Sequence, residues 1–233
     1  MNTKKTTWRF WLSLVILLVL VPLTVLVFSR FDRKYYLAGL AIIVLTMAAF
    51  FLHFESRKPQ ARELVILAVL CALAVASRAA FAAVPHFKPM LAIVMLTGIA
   101  FGPEAGFLCG AISGFASNFI FGQGPWTPWQ MFAFGVIGYL AGKLFGKKES
   151  SEKTAVCFYG FFSVLLIYGG IMNPASLMMY SADISPASLA AIYLSGLPMD
   201  ILHAGTTALF LWLGYEPIRK KLIRVKWKYG VFI

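Results

Sequence analysis

GIAFGPEAGFLCGAISGFASNFIFGQGPWTPWQM, residues 98–131, decides how the rest of the chain is read. Gly102, Gly106, Gly110 and Gly114 are four apart, and Asn118 and Gly122 continue the spacing. Residues at that interval share one face of a helix, so the run predicts a smooth stripe. Small residues so spaced let a second helix come close in lipid, where packing drives association. Internal helix packing is the reading for this stripe. "FGPEAG" (101–106) separates it from the apolar run before it, which predicts a bent or partly embedded pair. Beyond it, "FIFGQGPWTPWQM" (119–131) has two Gly, two Pro, two Trp and two Gln, and no charge. A mere spacer would more simply be polar. A bent, aromatic, uncharged connector suits an outer wall or lid, although Trp126 and Trp129 would also serve as interfacial anchors.

Working outward, 60% of the 233 residues are hydrophobic and 13% charged, with mean hydropathy +0.80. A soluble domain is about half apolar and about a quarter charged, so this is a membrane protein. The net charge of +12 sits at the ends of apolar runs rather than in a stripe with exposed aromatics. That arrangement argues against nucleic acid as a partner. Cys71, Cys109 and Cys157 lie in separate apolar stretches and match neither a zinc site nor a disulfide framework.

A helix needs about 20 apolar residues to span a bilayer. Eight segments qualify or nearly so: 10–29, 35–54, 64–84, 90–102, 105–121, 128–145, 154–172 and 187–214, the fourth being short. The first lacks a small-residue cleavage site before "SRFDRK" and reads as a retained span. Lys and Arg mark cytoplasmic ends. Placing both termini in the cytoplasm gathers Lys4, Lys5, Arg9, Arg57, Lys58, Arg62, Lys143, Lys147, Lys148 and Lys153 inside. The tail cluster Arg219, Lys220, Lys221, Arg224, Lys226 and Lys228 joins them. Only Arg30, Arg33, Lys34 and Lys88 stay outside, the first three against the rule. The expected location is the cell membrane, multi-pass, with "PHFKP" (85–89), "GQGPWTPWQ" and "NPASLMMYSADISP" (173–186) facing out. The charged linker "HFESRKPQARE" (53–63) divides an N-terminal transmembrane hairpin and linker, 1–60, from a six-span core with a basic cytoplasmic tail, 61–233.

Polar groups inside a membrane are costly and invite a functional reading. Arg78 lies in the outer half of the third segment, and Asp200 and His203 lie mid-way along the last. Arg78 either pairs with Asp200 or meets a ligand phosphate or carboxylate. His203 reads as a hydrogen-bonded core histidine, since no second His or Cys stands at ligand spacing. His86 and Lys88 flank Phe87 between two prolines, either solvated or helping to gate a pocket. Ala68, Ala72, Ala76 and Ala80 form a second smooth ridge, which serves a contact within the chain or with another subunit. There is no phosphate-binding G-x-x-x-x-G-K-[ST], and no catalytic motif, metal-ligand set or cofactor site is expected.

From about residue 62 the chain resembles the substrate-binding S component of energy-coupling factor (ECF) vitamin transporters. The resemblance rests on "ILAVLCALAVASRAAFAAVPHFKPM", on residues 98–131, and on "MDILHAGTTALFLWLGYEPIRKKL". Within the family it looks most like cobalamin-type members. It implies an all-α integral membrane protein, a six-helix S-component-like bundle here carrying an extra N-terminal two-helix hairpin. It also implies a vitamin substrate bound near the outer face, and a coupling transmembrane subunit with two ATPase subunits as partners. The alanine ridge would meet the coupling subunit. In the expected pocket Phe87, Trp126, Trp129 and Tyr180 would cover a flat ligand, and Asn118, Gln123, Gln130 and Asn173 would bind amides. Arg78 or Lys88 would meet a phosphate, with His86 alongside. Riboflavin suits this residue mix nearly as well as cobalamin. A stand-alone carrier and an intramembrane enzyme built on Asp200 and His203 are the competing classes.

Overall fold

The computed structural model describes residues 12, 15–20, 35–56, 59–146, 152–180 and 185–232. Most of the first expected span therefore lies outside the described residues, as do Arg30, Arg33, Lys34, Arg57, Lys58, Lys147, Lys148 and positions 181–184 of the third connector. The described part is an all-α membrane protein. Five of its helical stretches are long and apolar enough to cross a bilayer among the described residues: Gly39–Ser56, Ala61–Ala80, Pro103–Phe121, Lys153–Tyr180 and Pro186–Tyr229. The chain divides into two compact units, Met1–Gln60 and Ala61–Ile233.

In the first unit a π-helical turn, Ile16–Leu20, packs on helix α1, Tyr35–Ser56. Within α1 the Thr46 hydroxyl donates to the Ile42 carbonyl (2.8 Å), which satisfies a polar group in an otherwise apolar helix.

The second unit is built around three consecutive helices: α2, Ala61–Ala80; α3, Met90–Phe101; and α4, Pro103–Phe121. All of α3 except Ile93 is buried. A helix apolar on every side belongs in a core. Its 12 residues reach roughly 18 Å, well short of a bilayer's hydrocarbon thickness of about 30 Å. The α3–α4 break falls at Gly102, whose φ of 106° glycine adopts without steric cost, and Pro103 opens α4 where its missing N–H costs nothing. The expected bent pair is thus one short buried helix and one long one.

Helix α5, Thr127–Phe145, lies closest to α4. A Cβ built on Gly106 would sit 2.3 Å from the Gly138 carbonyl oxygen of α5, and one on Gly98 2.2 Å from the same atom. No side chain fits there, so glycine lets three helix backbones converge. The stripe read from Gly106 and Gly110 faces α5; its complement, Gly138 and Gly142, is a second stripe that the sequence reading did not single out. Helix α5 counted as a span, yet it is absent from the five stretches above. Gln130, Lys143 and its glycines dilute its hydropathy, and core packing supplies the burial instead.

Helix α6, Lys153–Ser163, passes through a π-turn, Val164–Tyr168, into α7, Gly169–Tyr180. This corrects one expectation: residues 173–180, read as connector, are helical despite Pro174. Helix α8, Pro186–Tyr229, starts with a Ser185–Ser188 capping box and continues 15 residues beyond the expected end at 214. Its 44 residues reach roughly 66 Å, longer than a whole bilayer of about 40–45 Å, so the basic segment is a helical extension. After Gly230 (φ 60°) the chain folds back. The Phe232 N–H donates to Glu63 Oε1 (2.5 Å), and the Phe232 ring packs on Phe101 at 5.1 Å.

Candidate ligand-binding site

Arg78 stands in the last turn of α2 and is 7% exposed. Its Nη1 donates to Asn118 Oδ1 (2.9 Å) and to Ser117 Oγ, both on α4. Asn118 then donates from Nδ2 to Gln130 Oε1 (2.9 Å) and to Thr127 Oγ1 (3.1 Å) on α5. Thr127 donates to Gln123 Oε1 (3.0 Å), and Gln123 Nε2 donates to the Phe115 carbonyl (3.0 Å), near the end of α4. One polar chain therefore ties α2, α4, the 122–126 connector and α5 together. Buried polar groups need such partners, and each member fixes the rotamer of the next.

The network leaves the guanidinium carbon over the Phe121 ring, 4.4 Å from its centroid. Lys88 Nζ lies 4.6 Å from the same centroid. Burial, and after it the neighbouring Arg78 charge, hold the Lys88 ammonium below the usual lysine range. Both cations line a cavity of about 90 Å³ with His86, Met90, Gln130, Phe134, Tyr168 and His203. The opposite wall is aromatic. Phe134 stacks on Tyr168 at 5.4 Å with 11° between the planes, and Tyr168 meets His203 edge-on at 5.1 Å. Tyr168 is the last residue of the π-turn, a local widening of the helix that recurs at functional sites. His86 is exposed and takes φ 58°, a left-handed conformation in which histidine is enriched.

The expected residues thus divide. Arg78, His86, Lys88 and Gln130 line the cavity, and Asn118 lies behind it as the hub that orients Arg78 and Gln130. Phe87 packs instead between Phe81 (5.0 Å) and Phe210 (5.9 Å), anchoring the 81–89 connector. Gln123 closes the end of α4, the Trp126 ring covers Gly124, and Trp129 is buried away from the cavity lining. Tyr180 is 72% exposed. Asn173 donates to Asp200 Oδ2 (2.9 Å), linking α7 to α8 where Gly169 and Gly196 make room. The expected alternative of an Arg78–Asp200 pair is not what forms: Arg78 bonds Ser117 and Asn118, while Asp200 is engaged by Asn173.

Met90, Phe134, Tyr168 and His203 are cavity residues that did not stand out as such. His203 carried a signal, as an ionisable group in mid-span. The other three look like ordinary apolar positions until the helices are assembled. The alanine ridge is unambiguous in its placement. Ala68, Ala72, Ala76 and Ala80 lie on the exposed side of α2, whereas Leu67, Leu70, Cys71 and Ala74 are buried.

A family model described as "ECF-type riboflavin transporter, S component" matches residues 58–218. The chain belongs to this family. It is therefore a substrate-specific membrane subunit of an ECF transporter, a family of transport components rather than of enzymes. A UPF0397 protein of Vibrio atlanticus (strain LGP32) is 23% identical over 163 residues, covering 66% of this chain and 87% of that protein. No solved structure matches the chain. The matched model is of riboflavin type, which supports the family part of the sequence reading but not its cobalamin-type part.

Proposed function

We propose that the chain captures a small vitamin with a flat ring system at its outer face and delivers it to the cytoplasm as part of an ATP-driven importer. The carrying observation is the cavity bounded by the Phe134–Tyr168–His203 aromatic wall on one side and the Arg78 and Lys88 cations on the other. An apolar wall with a few fixed polar groups is the usual make-up of a small-molecule site. Riboflavin-sized ligands suit it better than cobalamin. Phe87, Trp126, Trp129 and Tyr180, expected to cover a large flat ligand, do not line the cavity, and the aromatic surface that remains, Phe134 and Tyr168, suits a smaller ring system than a macrocycle. At about 90 Å³ the cavity is smaller than the roughly 300–1,000 Å³ of typical ligand pockets, so in this reading it widens when the vitamin binds.

The exposed ridge Ala68, Ala72, Ala76 and Ala80 is the proposed contact with the coupling subunit, which two ATPase subunits would drive. A ridge without bulk allows close approach and sliding in lipid. Both termini lie in the cytoplasm in this reading, with the cavity toward the outside. The test is uptake of labelled vitamins into vesicles holding the full chain, with and without the coupling subunit and ATPases. Uptake that needs both partners and ATP is expected. Uptake by the chain alone would make it a stand-alone carrier, and chemical conversion of the ligand would make it an enzyme.

A further inference from the structure

The cavity holds two cations and no anion among its lining residues. Arg78 is buried, and its hydrogen-bond partners Ser117 and Asn118 are neutral; Lys88 is half-buried, and its contact is the Phe121 ring. Among the described residues neither reaches a carboxylate within ion-pairing distance. Asp200, the acid of the neighbouring helix, is engaged by Asn173 and does not line the cavity. Two like charges facing one ring, partly out of water, repel each other and lack compensation. The Phe121 quadrupole offsets only part of this. Network geometry fixes Arg78 through Nη1, which leaves Nε and Nη2 without a protein partner among the described residues. A guanidinium edge beside an ammonium is the arrangement that binds an oxyanion by charge-assisted hydrogen bonds.

We infer that the ligand is an acid whose carboxylate or phosphate seats between Arg78 and Lys88 while its ring lies along Phe134 and Tyr168. This rests on the vitamin-capture reading above and narrows it to anionic vitamins or their phosphate esters. A phospholipid headgroup would present the same oxyanion, so the test separates the two sources.

The full chain would be purified into phosphatidylcholine nanodiscs, and two readouts taken. The first is thermal stabilisation by inorganic phosphate against chloride at matched ionic strength. The second is affinity for neutral and anionic members of matched pairs: riboflavin and riboflavin 5′-phosphate, pyridoxal and pyridoxal 5′-phosphate, nicotinamide and nicotinate. Phosphate is expected to stabilise the wild type more than Lys88→Gln, and an anionic member to bind at least about tenfold tighter than its neutral counterpart. Lys88→Gln is expected to erase that preference. Arg78→Gln should do the same, but it disturbs a buried network, so Lys88→Gln, in a connector, carries the test. A vitamin that binds with no preference for the acid overturns the inference and leaves the vitamin-capture reading standing. Phosphate stabilisation lost in Lys88→Gln, with no panel member bound, leaves the oxyanion site standing and removes these vitamins as its ligands. Repeating the titration with phosphatidylglycerol in the discs identifies the source. Unchanged affinity assigns the site to the soluble acid, and competition overturns that assignment in favour of a lipid headgroup.

Discussion

Replacing Asn118 with Ala removes the residue on which the site's geometry converges. Asn118 is 1% exposed, accepts from Arg78 (2.9 Å) and donates to Gln130 (2.9 Å) and Thr127 (3.1 Å). A hydrogen bond to a charged group contributes about 1.5–3 kcal/mol. Neutral bonds between membrane helices average about 0.6 kcal/mol, because helices separated in the bilayer find other partners. Together these give an expected loss of about 3 kcal/mol in unfolding free energy, with the guanidinium bond as the largest part. The assay is unfolding of the full chain by sodium dodecyl sulfate in mixed micelles, followed by circular dichroism. Asn118→Leu, of similar bulk, separates lost hydrogen bonds from lost packing. Asn118→Asp keeps an acceptor for Arg78 but supplies a compensating charge. It is therefore expected to hold the fold better than Asn118→Ala while abolishing any preference for anionic ligands. A loss below about 1 kcal/mol in both Asn118→Ala and Asn118→Leu would show that the network is not what holds these helices in register.

Three further outcomes follow from the same geometry. Gly138→Ala puts a methyl 2.3 Å from the Gly106 carbonyl oxygen and is expected to cost about 1–3 kcal/mol or more in the same titration, whereas Gly170→Ala, with nothing within 4 Å, should be near neutral. Ala72→Leu combined with Ala76→Leu roughens the exposed ridge and is expected to abolish uptake by the complete transporter while ligand affinity stays within about twofold; normal uptake would sink the interface assignment. Lys88 sits below the usual lysine range because of burial and Arg78, and binding an acid requires its charged form. Affinity for an anionic ligand should therefore fall as pH rises through that lowered value, before an ordinary lysine of about 10.4 would titrate, and Lys88→Gln should flatten this limb. The other titratable groups that face the cavity are Arg78, His86, Tyr168 and His203, so the Lys88→Gln comparison is what assigns the limb to Lys88.

The bundle was largely legible in the sequence because lipid imposes a simple demand on each helix separately. Apolar length marked the segments, the Gly-Pro pair at 102–103 marked the break between α3 and α4, and four-residue spacing marked the stripe that meets α5. The element ends were less legible. Pro174 looked like a boundary and is carried inside a helix, and α8 extends through a basic segment that apolar length could not count.

The site shows the same division more sharply. Sequence determined that Arg78, Lys88 and His203 are expensive in or beside a membrane and that the 119–131 stretch is no mere spacer. It did not determine what that stretch does. Its tryptophans cover and support, while Thr127 and Gln130 reach back to Asn118 and thereby aim Arg78. Tertiary structure alone decided this, because which residues share a cavity depends on helix rotation and crossing. Phe134, Tyr168 and His203 come from three helical segments whose spacing in the chain carries no record of their meeting. A charge inside a membrane announces itself residue by residue, whereas the wall that faces it exists only once the helices have packed.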